Sequence, residues 1–244
     1  MFFVMERTRK VMEELMRRMF SDAVEIRSFQ MKTGDFRTLQ DAEQDPSPWQ
    51  DYQTGGSWGG RGVHAWFRTV FQMPDALDGR TVVIRIQTGG SGWGAGNPQL
   101  LLYVNDEVVQ GVDGNHKVVI LDHSAEKGVT VQIDLSAYTD GIDDLKLTVA
   151  ALEENVKDLW FDLSVPLEIA DRLDENDKNR VDILNALNDT VNLLDLRKPG
   201  STDFYQSVER ARKFMESEFY GKRCGQEDVI ATCVGQGSTA KLHQ

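Results

Sequence analysis

The sequence predicts a mainly β protein: an antiparallel β-sandwich or jelly roll with an N-terminal helix and a C-terminal helical segment. Three observations carry this. From residue 23 to about 153, apolar residues alternate with polar ones in short runs. Gly, Asn, Asp or Pro separates most of these runs at near-even spacing. At both ends of the chain the period changes to that of a helix.

The first helix is predicted over 7–20, where Val11, Met12, Leu15, Met16, Met19 and Phe20 fall on one stripe. Its Met residues read as packing, because Met is a flexible gap filler. The segment 23–32 alternates as a strand, and a Gly-, Pro-, Asp- and Trp-rich loop follows at 41–62. Strands are then expected at 63–73, 81–88, 98–106, 107–113, 116–121, 129–137 and 145–153. Asn105-Asp106 occupies a hairpin turn, since this pair tolerates left-handed backbone angles.

Helical spacing returns after about residue 160. A helix from Leu163 to Leu173 is expected with Pro166 near its start. A second, over 179–196, aligns Val181, Leu184, Leu187, Val191 and Leu194. A third runs over 202–220, with Thr202 as N-cap and Gly221 as stop. Last comes a short apolar run at 228–234, a buried strand by composition, followed by the aperiodic "QGSTAKLHQ". The expected domains are an N-terminal helix (1–22), a β-sandwich (23–160), a helical linker (161–225) and the start of a further domain (226–244).

The chain has 244 residues, 39 acids and 27 bases, for a net charge of −12. That balance argues against nucleic acid, whose phosphates attract Lys and Arg, and against anionic membranes. The N-terminus lacks the apolar stretch of roughly 7–15 residues that a secretory signal needs. Cys224 and Cys233 form no CxxC pair and no disulfide framework. A cytoplasmic protein is expected.

No catalytic constellation stands out. His64, His116, His123 and His243 show neither HxH nor HExxH spacing, so no metal site is expected. "DGIDD" (140–144) offers oxygens without EF-hand spacing. There is no GxSxG, and no P-loop Lys follows the Gly-rich "GGSGWGAGN" (89–97). One set is less ordinary. Sugar sites combine an aromatic face with amides and carboxylates that bond hydroxyls. Trp58, Trp93, Asn97, Asn105, Asp113, Asn115 and His116 gather in loops and strand ends and are the candidate carbohydrate contacts. Trp66, inside an apolar strand, reads as core. Trp58 and Trp93 sit among glycines, where an exposed ring needs a partner: a sugar, another protein surface, or the end of the sandwich itself.

The stretch "GVHAWFRTVFQMPDALDGRTVVIRIQTGGSGWGAGNPQLLLYVNDEVVQGVDGNHKVVIL" resembles the N-terminal ancillary region of class II α-mannosidases, glycoside hydrolase family 38. That family carries an "AWFR" strand, a "P…L.G" turn, a "GW…NPQ…YVN" stretch and a "QG.D.NH" segment in this order. The likeness runs from about Trp58 to Ile120 and continues more loosely through "LNALND" to "VIATCVG". It implies a galactose-binding-like sandwich that packs on a catalytic domain.

In the family, a strand like "VIATCVG" opens the catalytic domain. A His-x-His-x-Asp type segment then supplies ligands to the catalytic zinc. Here Gln236, Gly237, Ser238, Thr239 and Ala240 follow Gly235. The resemblance therefore implies a chain that stops where catalysis would begin, through truncation, frameshift or a cloning boundary. It implies no enzyme activity and no cofactor in this chain, with zinc belonging to the full-length enzyme. The expected partners are that catalytic domain and mannose-containing glycans. Two other readings stand beside it: an autonomous carbohydrate-binding module, by fold analogy, and a self-associating domain using the strand at 228–234 as a free edge.

Overall fold

The helical period ends at Arg18 and the strand period begins at Phe20. In the computed structural model, which describes residues 2–89 and 98–221, that change is also a boundary. One unit spans Phe20–Leu152, and the other combines residues up to Met19 with those from Glu153 onward.

The first unit is an antiparallel two-sheet sandwich. Its strands are β1 (Phe20–Ile26), β2 (Ser28–Thr33), β3 (Gln50–Gln53), β4 (Ser57–Gly59), β5 (Val63–Gln72), β6 (Val82–Thr88), β7 (Gln99–Val104), β8 (Glu107–Val112), β9 (Val118–Asp122), β10 (Thr130–Thr139) and β11 (Ile142–Leu152). One sheet runs β1-β11-β6-β9, with β4 added to β11; the other runs β3-β2-β5-β10-β7-β8. Every pairing is antiparallel.

The alternation in the sequence is what fills the space between the sheets. Val131, Ile133, Leu135 and Ala137 of β10 point inward, as do Leu145, Leu147, Val149 and Ala151 of β11 and Val82, Ile84 and Ile86 of β6. Burying each large aliphatic side chain is worth roughly 1.5–3 kcal/mol. The hairpin between β7 and β8 turns at Asn105 (φ 49°) and Asp106 (φ 69°). Both angles are left-handed, as a type I′ turn requires.

Three departures from the sequence reading have physical causes. The alternating run 23–32 is two strands in different sheets, because the chain crosses between layers at Arg27. The supposed loop 41–62 contains β3, β4 and the end of a short helix, α2 (Leu39–Gln44), capped by a reciprocal Thr38/Asp41 box. Elements of three to six residues are too short to show a period. Finally, the sandwich ends at Leu152, not at 160.

The second unit is helical. It holds α1 (Phe2–Arg18), α3 (Glu154–Arg172), α4 (Lys178–Asn192), α5 (Thr202–Phe214) and a π-helical turn at Met215–Tyr220. Met5, Val11 and Leu15 of α1 join Leu159, Leu163, Leu184, Leu187, Phe204 and Val208 in one core. The N-terminal helix and the presumed linker thus share a single apolar interior. Met16, expected on the buried stripe, is exposed. Pro166 lies inside α3 instead of at its start. The helix begins earlier because Val156, Leu159 and Leu163 already bury one face. Ser201, not Thr202, caps α5 by accepting from the Phe204 N–H at 3.3 Å. Gly221 has φ −64° and continues the helical geometry without a left-handed stop.

Among the described residues, no helix is long and apolar enough to cross a membrane. The strand expected at 228–234, the "QGSTAKLHQ" tail, Cys224, Cys233 and His243 lie outside the described residues.

Candidate functional site

The chain leaves β8 at Val112 and folds back on Asp113. Asp113 Oδ1 accepts from the N–H of Asn115 at 2.7 Å and from the N–H of His116 at 2.9 Å. It also lies 3.0 Å from His116 Nδ1. An Asx-type turn of this kind is what Asp supplies ahead of a Gly-Asn pair. The two backbone N–H groups, Asn115 first, and then the imidazole hold the Asp113 carboxyl below its ordinary range. An ionised Asp113 takes the Nδ1–H tautomer of a neutral His116 ring, which leaves Nε2 as an acceptor.

Asp113 and His116 line an open cleft of about 480 Å³ with Gln99, Leu100, Gly111 and Val112. Its polar groups are a carboxylate, an imidazole and an amide over a short apolar floor. That set can bond hydroxyls through both donors and acceptors.

Two sequence-predicted residues, Trp58 and Asn105, have other placements. Trp58 is not an exposed ring. It is 4% exposed in the sandwich core, edge-on to Phe67 at 5.2 Å, because the short strand β4 turns it inward. Asn105 serves the fold: its Oδ1 accepts from the Gln132 N–H at 3.0 Å, and its own N–H donates to the Gln132 carbonyl at 3.0 Å. It sits at the opposite end of β8 from Asp113, about 20 Å along the strand. Trp93 and Asn97 lie outside the described residues. Asp113, Asn115 and His116 therefore stay together, and Gln99 joins them.

A second polar set was missed. Asp51, Gln30, Arg68, Asp134 and Tyr103 are successive cross-strand partners on the outer face of the six-stranded sheet. Arg68 donates to Asp134 at 2.7 Å and pairs with Glu43 at 2.7 Å. Gln132 Nε2 donates to the other Asp134 oxygen at 2.8 Å. Burial pushes the Arg68 pKa down, but the bonds to Asp134 and Glu43 outweigh it and raise it. Beside this row Lys32, 2% exposed, donates to the carbonyls of Ala42 and Asp45 at 2.7 and 2.8 Å. Trp49 takes both cations against its ring, Lys32 at 5.9 Å and Arg68 at 5.5 Å. The signal was a charge inside each apolar run, at the outward phase of "AWFRTVF" and "VQIDLSA".

The helical unit carries its own ionisable cluster. Arg212 reaches Asp158 at 3.0 Å and Asn155 at 2.6 Å, but stays 4.0 Å from Asp162. Burial pushes the Asp162 carboxyl up to about 6; Arg212 opposes this, while Asp158 and Glu216 add to it. A separate cleft of about 440 Å³ is lined by Asp195, Arg197, Lys198, Ser201, Thr202 and Asp203. Among the described residues, no group of three His, Cys, Asp or Glu side chains is placed to hold a metal ion.

The fold and the Asp113 cleft define a β-sandwich with a small polar recess at a strand end, in a chain that also holds a helical unit. No family model matches the chain, and no curated protein matches it. Solved structures to which part of the chain is similar include three β-glucuronidases. The Ruminococcus gnavus enzyme in complex with D-glucaro-d-lactam is 12% identical, with a TM-score of 0.40, over 55% of this chain and 30% of that one. The Faecalibacterium prausnitzii enzyme is 10% identical, with a TM-score of 0.38, over 54% of this chain and 32% of that one. The uncultured Clostridium sp. enzyme is 10% identical, with a TM-score of 0.38, over 54% and 29%. The aligned part is thus about a third of the length of each.

Proposed function

We propose that this chain is the non-catalytic N-terminal region of an α-mannosidase-like glycoside hydrolase, packing on that enzyme's catalytic domain and lending the Asp113 cleft to a glycan. The observation that carries the reading joins separate motifs of the family resemblance. Gln99 of "NPQ" lines the same cleft as Asp113 and His116 of "QG.D.NH". Trp66 of "AWFR" packs against Tyr103 of "YVN", with ring centroids 5.4 Å apart. Motifs spread over some fifty positions thus converge in two places on one sheet.

In this reading the chain needs no cofactor of its own and cleaves no glycoside. Zinc-dependent release of mannose from an aryl mannoside by the purified chain would overturn it. Encoding of a metal-binding catalytic domain directly downstream in the gene is the expected companion result.

A second reading, an autonomous carbohydrate-binding module, is favoured by the exposure of Asp113 and His116. Calorimetric titration with mannose and its oligomers separates the two. Saturable binding by the chain alone, weakened in Asp113→Ala, supports the module; flat titrations support the ancillary role, in which the cleft meets a glycan only together with the catalytic domain.

A further inference from the structure

Trp58 and Asp143 face each other directly across β4 and β11. Cross-strand partners project to the same side of a sheet, and here that side is the core. Each is 4% exposed. Trp58 Nε1 and Asp143 Oδ1 are both sealed from solvent, and among the described residues neither finds a hydrogen-bond partner. The indole N–H can only donate, and a carboxylate oxygen accepts. Buried polar groups of this kind are nearly always satisfied.

Their surroundings are fixed. The second Asp143 oxygen accepts from Thr139 Oγ1 at 3.1 Å, and Thr139 Oγ1 accepts from the Gly141 N–H at 3.2 Å. The Gly60 N–H donates to the Gly141 carbonyl at 2.8 Å. Gly59, at φ 101°, passes so close that a Cβ there would meet the Gly141 oxygen at 2.4 Å and Thr139 Cγ2 at 2.6 Å. The indole is held edge-on by Phe67.

We propose that a single internal water binds between Trp58 Nε1 and Asp143 Oδ1 and fastens β4 to the tip of the sandwich. The chemistry selects this ligand. Water accepts from the indole N–H through a lone pair and donates to the carboxylate through a hydrogen, meeting both needs at once. A metal cation would serve the carboxylate but would face the positive edge of the indole. At three residues, β4 has a short ladder, so a bridge at its middle residue adds a tie beside its three backbone pairs with β11.

A high-resolution crystal structure of the full chain tests this. The expected result is one water peak within about 2.7–3.2 Å of both atoms. A direct bond between Nε1 and Oδ1, a dry gap, or an ion with oxygen contacts near 2.4 Å would each overturn it. Solution NMR gives an independent readout. The Trp58 indole N–H should show cross-relaxation with a water signal in the native chain. It should keep it in Asp143→Asn, which retains an acceptor oxygen, and lose it in Asp143→Leu. Persistence of that signal in Asp143→Leu, or its absence from the native chain, would also overturn the proposal.

Discussion

Arg68 donates to Asp134 at 2.7 Å across β5 and β10, and Asp134 is fully sealed from solvent. The guanidinium and Gln132 together satisfy both carboxylate oxygens. An arrangement of this kind is costly to break from one side, because the remaining charge stays buried. Arg68→Ala should therefore lower unfolding stability by about 3–5 kcal/mol, read by chemical denaturation. The double change Arg68→Met with Asp134→Leu should recover most of that loss. Equal losses in the single and double variants would contradict this account of the pair.

How far the sequence revealed the site follows from the same contrast. The strands were readable because alternation is a local property, and β10 and β11 show it over ten residues or more. Asp113 and His116 were readable because their contact spans only three positions. Arg68 and Asp134 are 66 positions apart, and only the strand order brings them together. Trp58 was misjudged for a related reason: three residues of β4 carry no period, so its glycine neighbours suggested a loop where the structure has a core wall.

Asp162 gives a pH dependence whose direction is fixed by its environment. Its folded-state value of about 6 lies above the ordinary 3.8, chiefly from burial. The folded chain therefore holds the proton more tightly than the unfolded one. This contribution is fully present below about pH 4, falls as pH rises to about 6, and is absent above that. The change is on the order of 2 kcal/mol. Asp162→Asn should raise the Tm at pH 7.5 by roughly 3–6 °C and flatten the stability profile between pH 4 and 6. An unchanged profile in that variant would remove Asp162 from the explanation.

Asn105 separates a structural role from a binding one. Its φ of 49° and its two bonds with Gln132 serve the β7–β8 hairpin. Asn105→Ala should cost about 1–2 kcal/mol, from the left-handed backbone and the lost amide bond. Asn105→Gly should recover the backbone part only. Neither change should alter any glycan titration, since the residue lies at the far end of β8 from the cleft.

Asp113 carries the opposite expectation. Its carboxylate gathers the Asn115 and His116 N–H groups and the imidazole, all at the surface. Exposed interactions of this kind contribute little to stability. Asp113→Ala should therefore shift the Tm by less than about 2 °C, within the small range of surface substitutions. It should nonetheless free the His116 ring and remove the cleft's anionic acceptor. If the cleft takes a hydroxylated ligand, affinity should fall at least tenfold in that variant, the equivalent of about one lost charge-assisted hydrogen bond. Asp113→Asn, which keeps one acceptor oxygen for the backbone N–H groups, should retain the turn and lose less. Comparison of the two variants by calorimetry and by the His116 ring signals in NMR checks both halves: a large Tm loss in Asp113→Ala, or equal affinity in all three proteins, would show that Asp113 builds the loop and recognises nothing.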